Sequence, residues 1–175
     1  MIKKIGLILW DVLVKAQRVV MIVTGIATIL LVFVPIVLRQ IGVPFTGYEE
    51  FLLPIAFWMY MMGSSHGSYE RTQITADLLL RVLKGRPQLG LRAVTSVLTF
   101  LLGVVFTYWA WVLVQWSLTT GSLSSLYKIP IVWGQSSILV GLIISCLYNF
   151  VYMIKDCRDM FAPLSVAQTV EQGEV

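Results

Sequence analysis

The sequence predicts an all-α integral membrane protein with four transmembrane helices and two amphipathic interfacial helices. Of its 175 residues, 58% are apolar and only 13% are charged, whereas a soluble domain carries about 25% charged residues. The mean hydropathy of +0.84 is too high for a chain that must cover its surface with polar groups. Long uncharged runs, such as residues 19–38, match the roughly 20 residues that a helix needs to cross a bilayer.

The four spans are predicted from apolar runs of membrane-spanning length. The first, residues 19–38, is longer than the apolar region of about 7 to 15 residues in a signal peptide, so we expect it to be retained. The second, residues 46–67, is expected to begin with a capping box, because Thr46 and Glu49 have the spacing that satisfies free N–H groups at a helix start. The third and fourth spans are predicted at residues 91–116 and 136–154.

Two further segments are amphipathic and are predicted to lie in the membrane interface. On a helical wheel of residues 2–18, the charged side chains share one sector and apolar side chains lie opposite. Residues 74–84 have a narrower polar strip, followed by a glycine and a proline that stop a helix. Residues 1–164 are therefore expected to form a single membrane domain, and the polar residues 165–175 a flexible cytoplasmic tail.

The distribution of Lys and Arg predicts the orientation. Eleven of the 13 lie before the first span, between the second and third spans, at the start of the third (Arg92) or after the fourth, and only Arg39 and Lys128 lie on the other side. By the positive-inside rule, both termini and the middle loop are expected in the cytoplasm. Because these residues flank apolar runs instead of lining one soluble face, the net charge of +4 indicates topology and no nucleic-acid partner.

Few residues could carry catalysis or transport. Two cysteines, Cys146 and Cys157, and one histidine form no recognisable metal or nucleophile motif, so the sequence predicts no enzyme, no metal and no cofactor in this chain. His66 with Glu49 and Glu50 could form a proton relay. The favoured interpretation is that His66 lies at the headgroup level and that the two glutamates cap a helix, where acids suit the positive end of its dipole.

Two rows of small and polar residues are predicted helix-packing faces. In lipid, small residues permit close approach of helices, and hydroxyl or amide side chains can bond across them. Whether the rows contact each other or another protein stays open. The rows, spaced by four residues, are Thr95, Thr99, Gly103 and Thr107 in the third span, and Ser137, Gly141, Ser145 and Asn149 in the fourth.

The stretch GSSHGSYERTQITADL, residues 63–78, resembles a loop in the small (Q-type) membrane subunits of tripartite ATP-independent periplasmic (TRAP) transporters. The family pattern is a glycine followed, after a gap, by a histidine, an isoleucine, any two residues and an aspartate. Gly63, Ile74 and Asp77 match this pattern in register. Gln73 stands where the family commonly has histidine, although glutamine can also donate a hydrogen bond.

Four residues upstream of this loop are also similar to the family's pattern. They are Arg39 after the first span, Glu49 and Glu50 at the start of the second, and Trp58 within it. The resemblance implies that these four residues contact a large subunit at or near its surface. It further implies that Gly63, Gln73 and Asp77 belong to the same partner interface, with Gln73 and Asp77 fixing the inner horizontal helix, and that none of these residues touches substrate.

The resemblance also implies a function and its partners. The chain is expected to be the non-catalytic small subunit of a sodium-coupled secondary transporter in the bacterial inner membrane, surrounded by membrane lipids. A large polytopic membrane subunit is expected to bind the substrate and the sodium ions, and a periplasmic substrate-binding protein to deliver the substrate, commonly an organic acid. The small subunit is expected to scaffold the large one, and its outer loops could help dock the delivery protein.

Other functions compete with this expectation. A stand-alone four-helix exporter or channel acting as a homo-oligomer would be expected to carry a glutamate at mid-span, and residues 19–38 contain none. An integral-membrane enzyme is disfavoured by the missing metal and nucleophile motifs. An anchoring subunit of another membrane complex is separated from the transporter subunit by the pattern from Gly63 to Asp77 alone.

Overall fold

The computed structural model describes residues 2–43, 45–70 and 86–161, and this part of the chain is helical throughout except for its connecting loops. Its only β-type pairing is an isolated bridge between Leu123 and Pro130. The all-helical fold class is therefore confirmed for the described residues. The helices are α1 (Ile2–Gln40), α2 (Glu49–Tyr69), α3 (Arg86–Thr120) and α4 (Val132–Phe161).

Three of these helices are long and apolar enough to cross a membrane: Trp10–Gln40 in α1, Gln88–Thr120 in α3 and Val132–Arg158 in α4. They contain the first, third and fourth predicted spans. The second predicted span, residues 46–67, corresponds to α2, which has 21 residues but begins with two glutamates and ends in a polar Gly/Ser-rich turn. Among the described helices α2 does not reach the hydropathy of the others, so the count of four spans stays a prediction.

Helix α1 differs from the expectation of a separate amphipathic helix at residues 2–18. It runs for 39 residues without a break, which corresponds to about 58 Å at 1.5 Å per residue. The reason is local, because the junction at residues 15–22 contains neither glycine nor proline and nothing there stops the helix. The predicted interfacial helix at residues 74–84 and the predicted tail at residues 165–175 lie outside the described residues.

The predicted capping box at the start of α2 is wrong. The helix begins at Glu49, and Tyr48 occupies the N-cap with helical backbone angles and no side-chain cap. The N–H groups of Glu50 and Phe51 instead donate to the carbonyls of Gly47 and Tyr48, both at 3.1 Å. Since the preceding turn already satisfies these donors, no side-chain cap is needed.

The helices pack in the spatial order α1, α2, α4, α3. The two central helices approach closely, since a Cβ at Gly141 of α4 would lie 2.8 Å from Cβ and 3.1 Å from the carbonyl oxygen of Met61 in α2. Few apolar side chains are buried within the chain, and many large ones on α1 and α3 are exposed. Such an outward apolar surface suits contact with lipid or with another membrane subunit.

Candidate functional site

The connection between α3 and α4, residues 121–131, is anchored on the first turn of α2. The carboxylate of Glu50 accepts a hydrogen bond from the backbone N–H of Leu126 at 2.6 Å and another from that of Tyr127 at 2.7 Å. Each carboxylate oxygen thus binds one backbone donor, an arrangement in which the charge strengthens both hydrogen bonds. We call residues 121–131 the outer loop, after the side on which the sequence predicts it, and we call this contact the Glu50 anchor.

The side chain of Tyr127 adds to the Glu50 anchor. Its hydroxyl donates to the carbonyl of Thr46 at 3.1 Å, and its ring lies 5.0 Å from that of Phe51. Gly47 has a φ of +84° and lies directly beneath the loop, where a Cβ would overlap the side chains of Leu126 and Tyr127. A glycine is therefore required there both by the backbone angle and by the close approach.

Two backbone hydrogen bonds within the outer loop also stabilise it. The N–H of Ser124 donates to the carbonyl of Ile129 at 2.9 Å, and that of Ile131 donates to the carbonyl of Ser122 at 3.1 Å. Beyond the loop, the indole N–H of Trp58 in α2 donates to the carbonyl of Trp133 at the start of α4, at 3.1 Å. Hydrogen bonds at both places thus tie the outer loop and the start of α4 to α2.

The outer loop exposes apolar side chains although it lies beyond the ends of the apolar helices. Leu126 is 58% exposed and Trp133, just after the loop, is 69% exposed, and Leu123 and Ile131 are exposed as well. A fixed backbone with apolar side chains turned outward can bind a partner with little loss of conformational freedom. This arrangement is suited to binding.

At the opposite end of the bundle, three polar side chains form a buried chain of hydrogen bonds across three helices. The hydroxyl of Tyr148 in α4 donates to Oε1 of Gln17 in α1 at 2.7 Å. Nε2 of Gln17 in turn donates to the hydroxyl of Ser65 in α2 at 2.6 Å. All three residues are buried, so this network fixes α1 against the two central helices.

An aromatic cluster surrounds this network. The ring of Trp10 lies 4.7 Å from that of Tyr148 in an edge-on arrangement and 6.2 Å from that of Tyr69. The hydroxyl of Tyr152 donates to the carbonyl of Tyr69 at 2.6 Å. Such edge-on aromatic contacts add directional stabilisation to apolar burial.

His66 adjoins the aromatic cluster and not the glutamate pair. Its Nε2 lies 3.2 Å from Oε1 of Glu70, and its Nδ1 is buried without a hydrogen-bond partner among the described residues. Glu50 lies sixteen residues earlier on α2, a separation of about 24 Å along a helix. His66 and the glutamates that were considered for a proton relay are therefore at opposite ends of α2.

A buried carboxylate on α4 joins α3 to the bundle. Asp156 is 4% exposed and accepts a hydrogen bond from the hydroxyl of Ser96. Its Oδ1 also lies 3.2 Å from Nε of Arg92, whose side chain is 41% exposed. The sequence did not predict this contact, because Arg92 was counted only as an orientation signal. Asp156 lies sixty or more residues after both Ser96 and Arg92 in the chain.

The predicted partner-contact residues have diverse positions. Arg39 lies exposed in the last turn of α1, and Glu49 is exposed beside Glu50. Trp58 and Glu50 contact the outer loop and the start of α4, as described. A Cβ at Gly63 would lie 3.8 Å from Sδ of Met21, an ordinary contact between α2 and α1. Gln73 and Asp77 lie outside the described residues.

The predicted packing rows differ from each other. In α4, Gly141 packs against Met61 of α2. The hydroxyl of Ser145 accepts a hydrogen bond from the hydroxyl of Ser68 at 3.4 Å, and Asn149 is half-buried. Ser137 is buried, and its hydroxyl donates to the carbonyl of Gly134 in its own helix at 2.6 Å.

The row on α3 makes no such cross-helix contact among the described residues. The hydroxyl of Thr99 donates to the carbonyl of Thr95 at 2.9 Å, within the same helix. A Cβ at Gly103 would have no described atom within 4 Å. All four residues of this row are half-buried, and the described chain leaves the space beside Gly103 open.

Comparison with known proteins adds one finding to this geometry. A family model described as tripartite ATP-independent periplasmic transporters, DctQ component, matches residues 28–159. The matched region extends from within α1 to near the end of α4 and includes the outer loop, the Glu50 anchor and Asp156. No curated protein matches the sequence significantly.

Proposed function

Because the chain belongs to the family of DctQ components, the small membrane subunits of tripartite ATP-independent periplasmic transporters, we propose that it is the non-catalytic scaffold of a sodium-coupled transporter for an organic acid. In this proposal a large polytopic subunit binds the substrate and the sodium ions. A periplasmic substrate-binding protein delivers the acid. The complex lies in the bacterial inner membrane with both termini of this chain in the cytoplasm.

Two observations together support the scaffold role: hydrogen bonds from Glu50 hold the outer loop in place, and the long apolar segments carry no charge. Residues 19–38, 93–127 and 129–154 contain no Asp, Glu, Lys, Arg or His. A path for an organic anion or sodium at bilayer depth is usually built around ionisable or polar groups. Within the described residues, the polar contacts at Glu50, Gln17 and Asp156 join parts of this chain to each other.

The Glu50 anchor supports a role in contacting a partner at the outer side. It fixes a loop whose exposed side chains include the apolar Leu123, Leu126 and Ile131, and a preorganised surface loses little conformational freedom on binding. We propose that the outer loop contacts the large subunit and contributes to the place where the substrate-binding protein docks. Arg39 and Glu49, both exposed near this end, would extend the same surface.

Purification of the tagged chain from its native membranes in mild detergent, followed by mass spectrometry, tests the proposal. A stoichiometric large polytopic subunit is expected to remain bound. Vesicles that contain the purified assembly should then take up an organic acid only with a sodium gradient and the substrate-binding protein. Recovery of the chain alone, or only as a homo-oligomer, would contradict the scaffold role and favour a stand-alone exporter or channel.

The orientation has its own test. Reporter fusions at the carboxyl terminus are expected to show cytoplasmic activity, because an even number of spans returns the chain to the side of its amino terminus. A periplasmic carboxyl terminus would contradict the count of four spans and would make α2 a helix that does not cross the membrane.

A further inference from the structure

Two cations on α1 have no counter-charge within the described chain. Lys15 and Arg18 are both exposed and lie three residues apart, which places them on one face of the helix. Neither forms a hydrogen bond or an ion pair with another described residue. Asp11, one turn earlier on the same helix, is also exposed and pairs with neither of them.

The buried face of α1 lies about 100° around the helix axis from the two cations and holds the helix against the bundle. Val14 and Gln17 are buried, and Gln17 bonds to Ser65 and Tyr148. The rotation of α1 about its axis is therefore fixed, with Lys15 and Arg18 exposed beside the buried face. Arg92, in contrast, is compensated within the chain by Asp156.

The same outward face continues as an apolar strip. Val19, Ile22 and Ile26 follow the two cations at intervals of three or four residues, and all three are exposed. From Lys15 to Ile26 the helix rises about 16 Å, which is roughly half of a hydrocarbon core about 30 Å thick. The cations and the apolar strip together thus have the length of about one leaflet, and the strip from Val19 to Ile26 accounts for about 10 Å of it.

We propose that this face of α1 binds an anionic phospholipid. Lys15 and Arg18 bind the phosphate and the negative charge of the headgroup, and one acyl chain lies along Val19, Ile22 and Ile26. The charges are complementary, and basic side chains at a membrane surface attract anionic lipid in this way. The site is independent of the proposed transporter function, because it needs only the folded chain in a bilayer.

The test measures lipid binding to the full-length chain, purified as the assembly in which it leaves the membrane and then delipidated. Phosphatidylglycerol and phosphatidylcholine are titrated in detergent, with bound lipid counted by native mass spectrometry and Tm recorded in parallel. Phosphatidylglycerol is expected to bind and to raise Tm, and phosphatidylcholine to do neither at the same concentration. In the double variant Lys15→Gln/Arg18→Gln, the affinity for phosphatidylglycerol should fall about 25-fold.

Two matched variants keep the test specific. The charge-preserving double variant Lys15→Arg/Arg18→Lys should bind phosphatidylglycerol nearly as well as the original chain. The variant Arg158→Gln removes one positive charge from an exposed residue of α4 that lies outside the proposed partner surface; compared with the single variants at Lys15 and Arg18, it should leave the affinity unchanged. If the Lys15→Gln/Arg18→Gln variant did not fold, its loss of secondary structure would show this. The single variants Lys15→Gln and Arg18→Gln would then be compared with the original chain.

Three results would overturn the proposal. The first is undiminished binding of phosphatidylglycerol to the folded Lys15→Gln/Arg18→Gln variant. The second is equal stabilisation by inorganic phosphate, which would identify a site for a free anion and not for a lipid. The third is loss of a co-purifying subunit from this variant with lipid binding intact, which would assign the two cations to a protein contact.

Discussion

The Glu50 carboxylate binds the backbone N–H of Tyr127, a residue 77 positions later in the chain, at 2.7 Å. With the second hydrogen bond from Leu126, this contact ties the loop after α3 to the first turn of α2. It is the feature of the described chain that most directly shapes a surface for a partner, because the loop exposes apolar side chains on a backbone that Glu50 holds in place.

Replacing Glu50 with alanine should loosen the outer loop and lower recovery of the transporter complex more than it lowers insertion of the chain into the membrane. Both carboxylate acceptors are lost, so the N–H groups of Leu126 and Tyr127 should exchange hydrogen several-fold faster. Hydrogen exchange on the purified assembly measures the first effect and affinity recovery of the large subunit the second. Glu49→Ala is the matched control for the exchange measurement, since Glu49 is exposed and Glu50 accepts both hydrogen bonds from the loop. Equal recovery of the complex from the Glu50→Ala variant and the original chain would count against a role in assembly.

Gly47→Ala should destabilise the chain more than Gly42→Ala does. Both glycines have positive φ, +84° and +75°, so alanine costs about 1 kcal/mol of backbone strain at either position. Only at Gly47 would the added Cβ also overlap Leu126 and Tyr127, whereas at Gly42 no described atom lies within 4 Å. Thermal unfolding in detergent measures both variants. A Tm shift of the same size in the two variants would show that the contact between Gly47 and the outer loop adds nothing.

The sequence predicted the helices well because helix formation in lipid depends on apolar length, which is a local property. It did not predict that residues 2–18 continue into the first span. The two segments were separated because residues 2–18 are amphipathic on a helical wheel, although no glycine or proline lies between them and the first span. The predicted capping box at Thr46 and Glu49 is wrong because it also depended on a sequence pattern alone. Gly47 adopts a positive φ that lets the preceding turn supply its own carbonyls, and such an angle is not visible in the spacing of Thr46 and Glu49.

The contacts of the candidate site were less predictable than the helices. Glu50 was singled out, but its acceptor role depends on a loop far along the chain, and the sequence offers no spacing rule for such a pair. Gln17 and Asp156 were not identified as buried, since each lies among charged residues near a span end where solvent exposure is the ordinary expectation. Their burial follows from how the helices are arranged around α2 and α4, which one sequence does not specify.

A comparison of Gly141→Ala with Gly103→Ala should distinguish a glycine that packs within the chain from one that could contact the large subunit. At Gly141 an added methyl group would press on Met61, including its carbonyl oxygen at 3.1 Å, and overpacking of this kind costs about 1 to 3 kcal/mol. At Gly103 no described atom is near, so alanine should stabilise the helix by roughly 0.5 to 1 kcal/mol.

The two glycine variants are compared by Tm and by recovery of the complex. Gly141→Ala should lower Tm of the chain, and Gly103→Ala should leave it unchanged or raise it. If the row on α3 contacts the large subunit, Gly103→Ala should also reduce the amount of that subunit recovered. An unchanged yield of the complex would indicate that this face of α3 contacts lipid.

Removing the hydroxyl of Tyr148 should destabilise the attachment of α1 by about 1 kcal/mol, within the range measured for hydrogen bonds between membrane helices. In Tyr148→Phe, the Oε1 atom of Gln17 loses its donor while it stays buried, which is the costly way to break such a bond. The double variant Gln17→Leu/Tyr148→Phe leaves no unpaired atom between these two residues, so its loss of stability should be smaller than the sum of the single losses. Tyr108→Phe, at an exposed tyrosine of α3, controls for the general effect of removing a hydroxyl group. Unfolding in a denaturing detergent gives all four values, and strict additivity would mean that the two side chains are not coupled across α1 and α4.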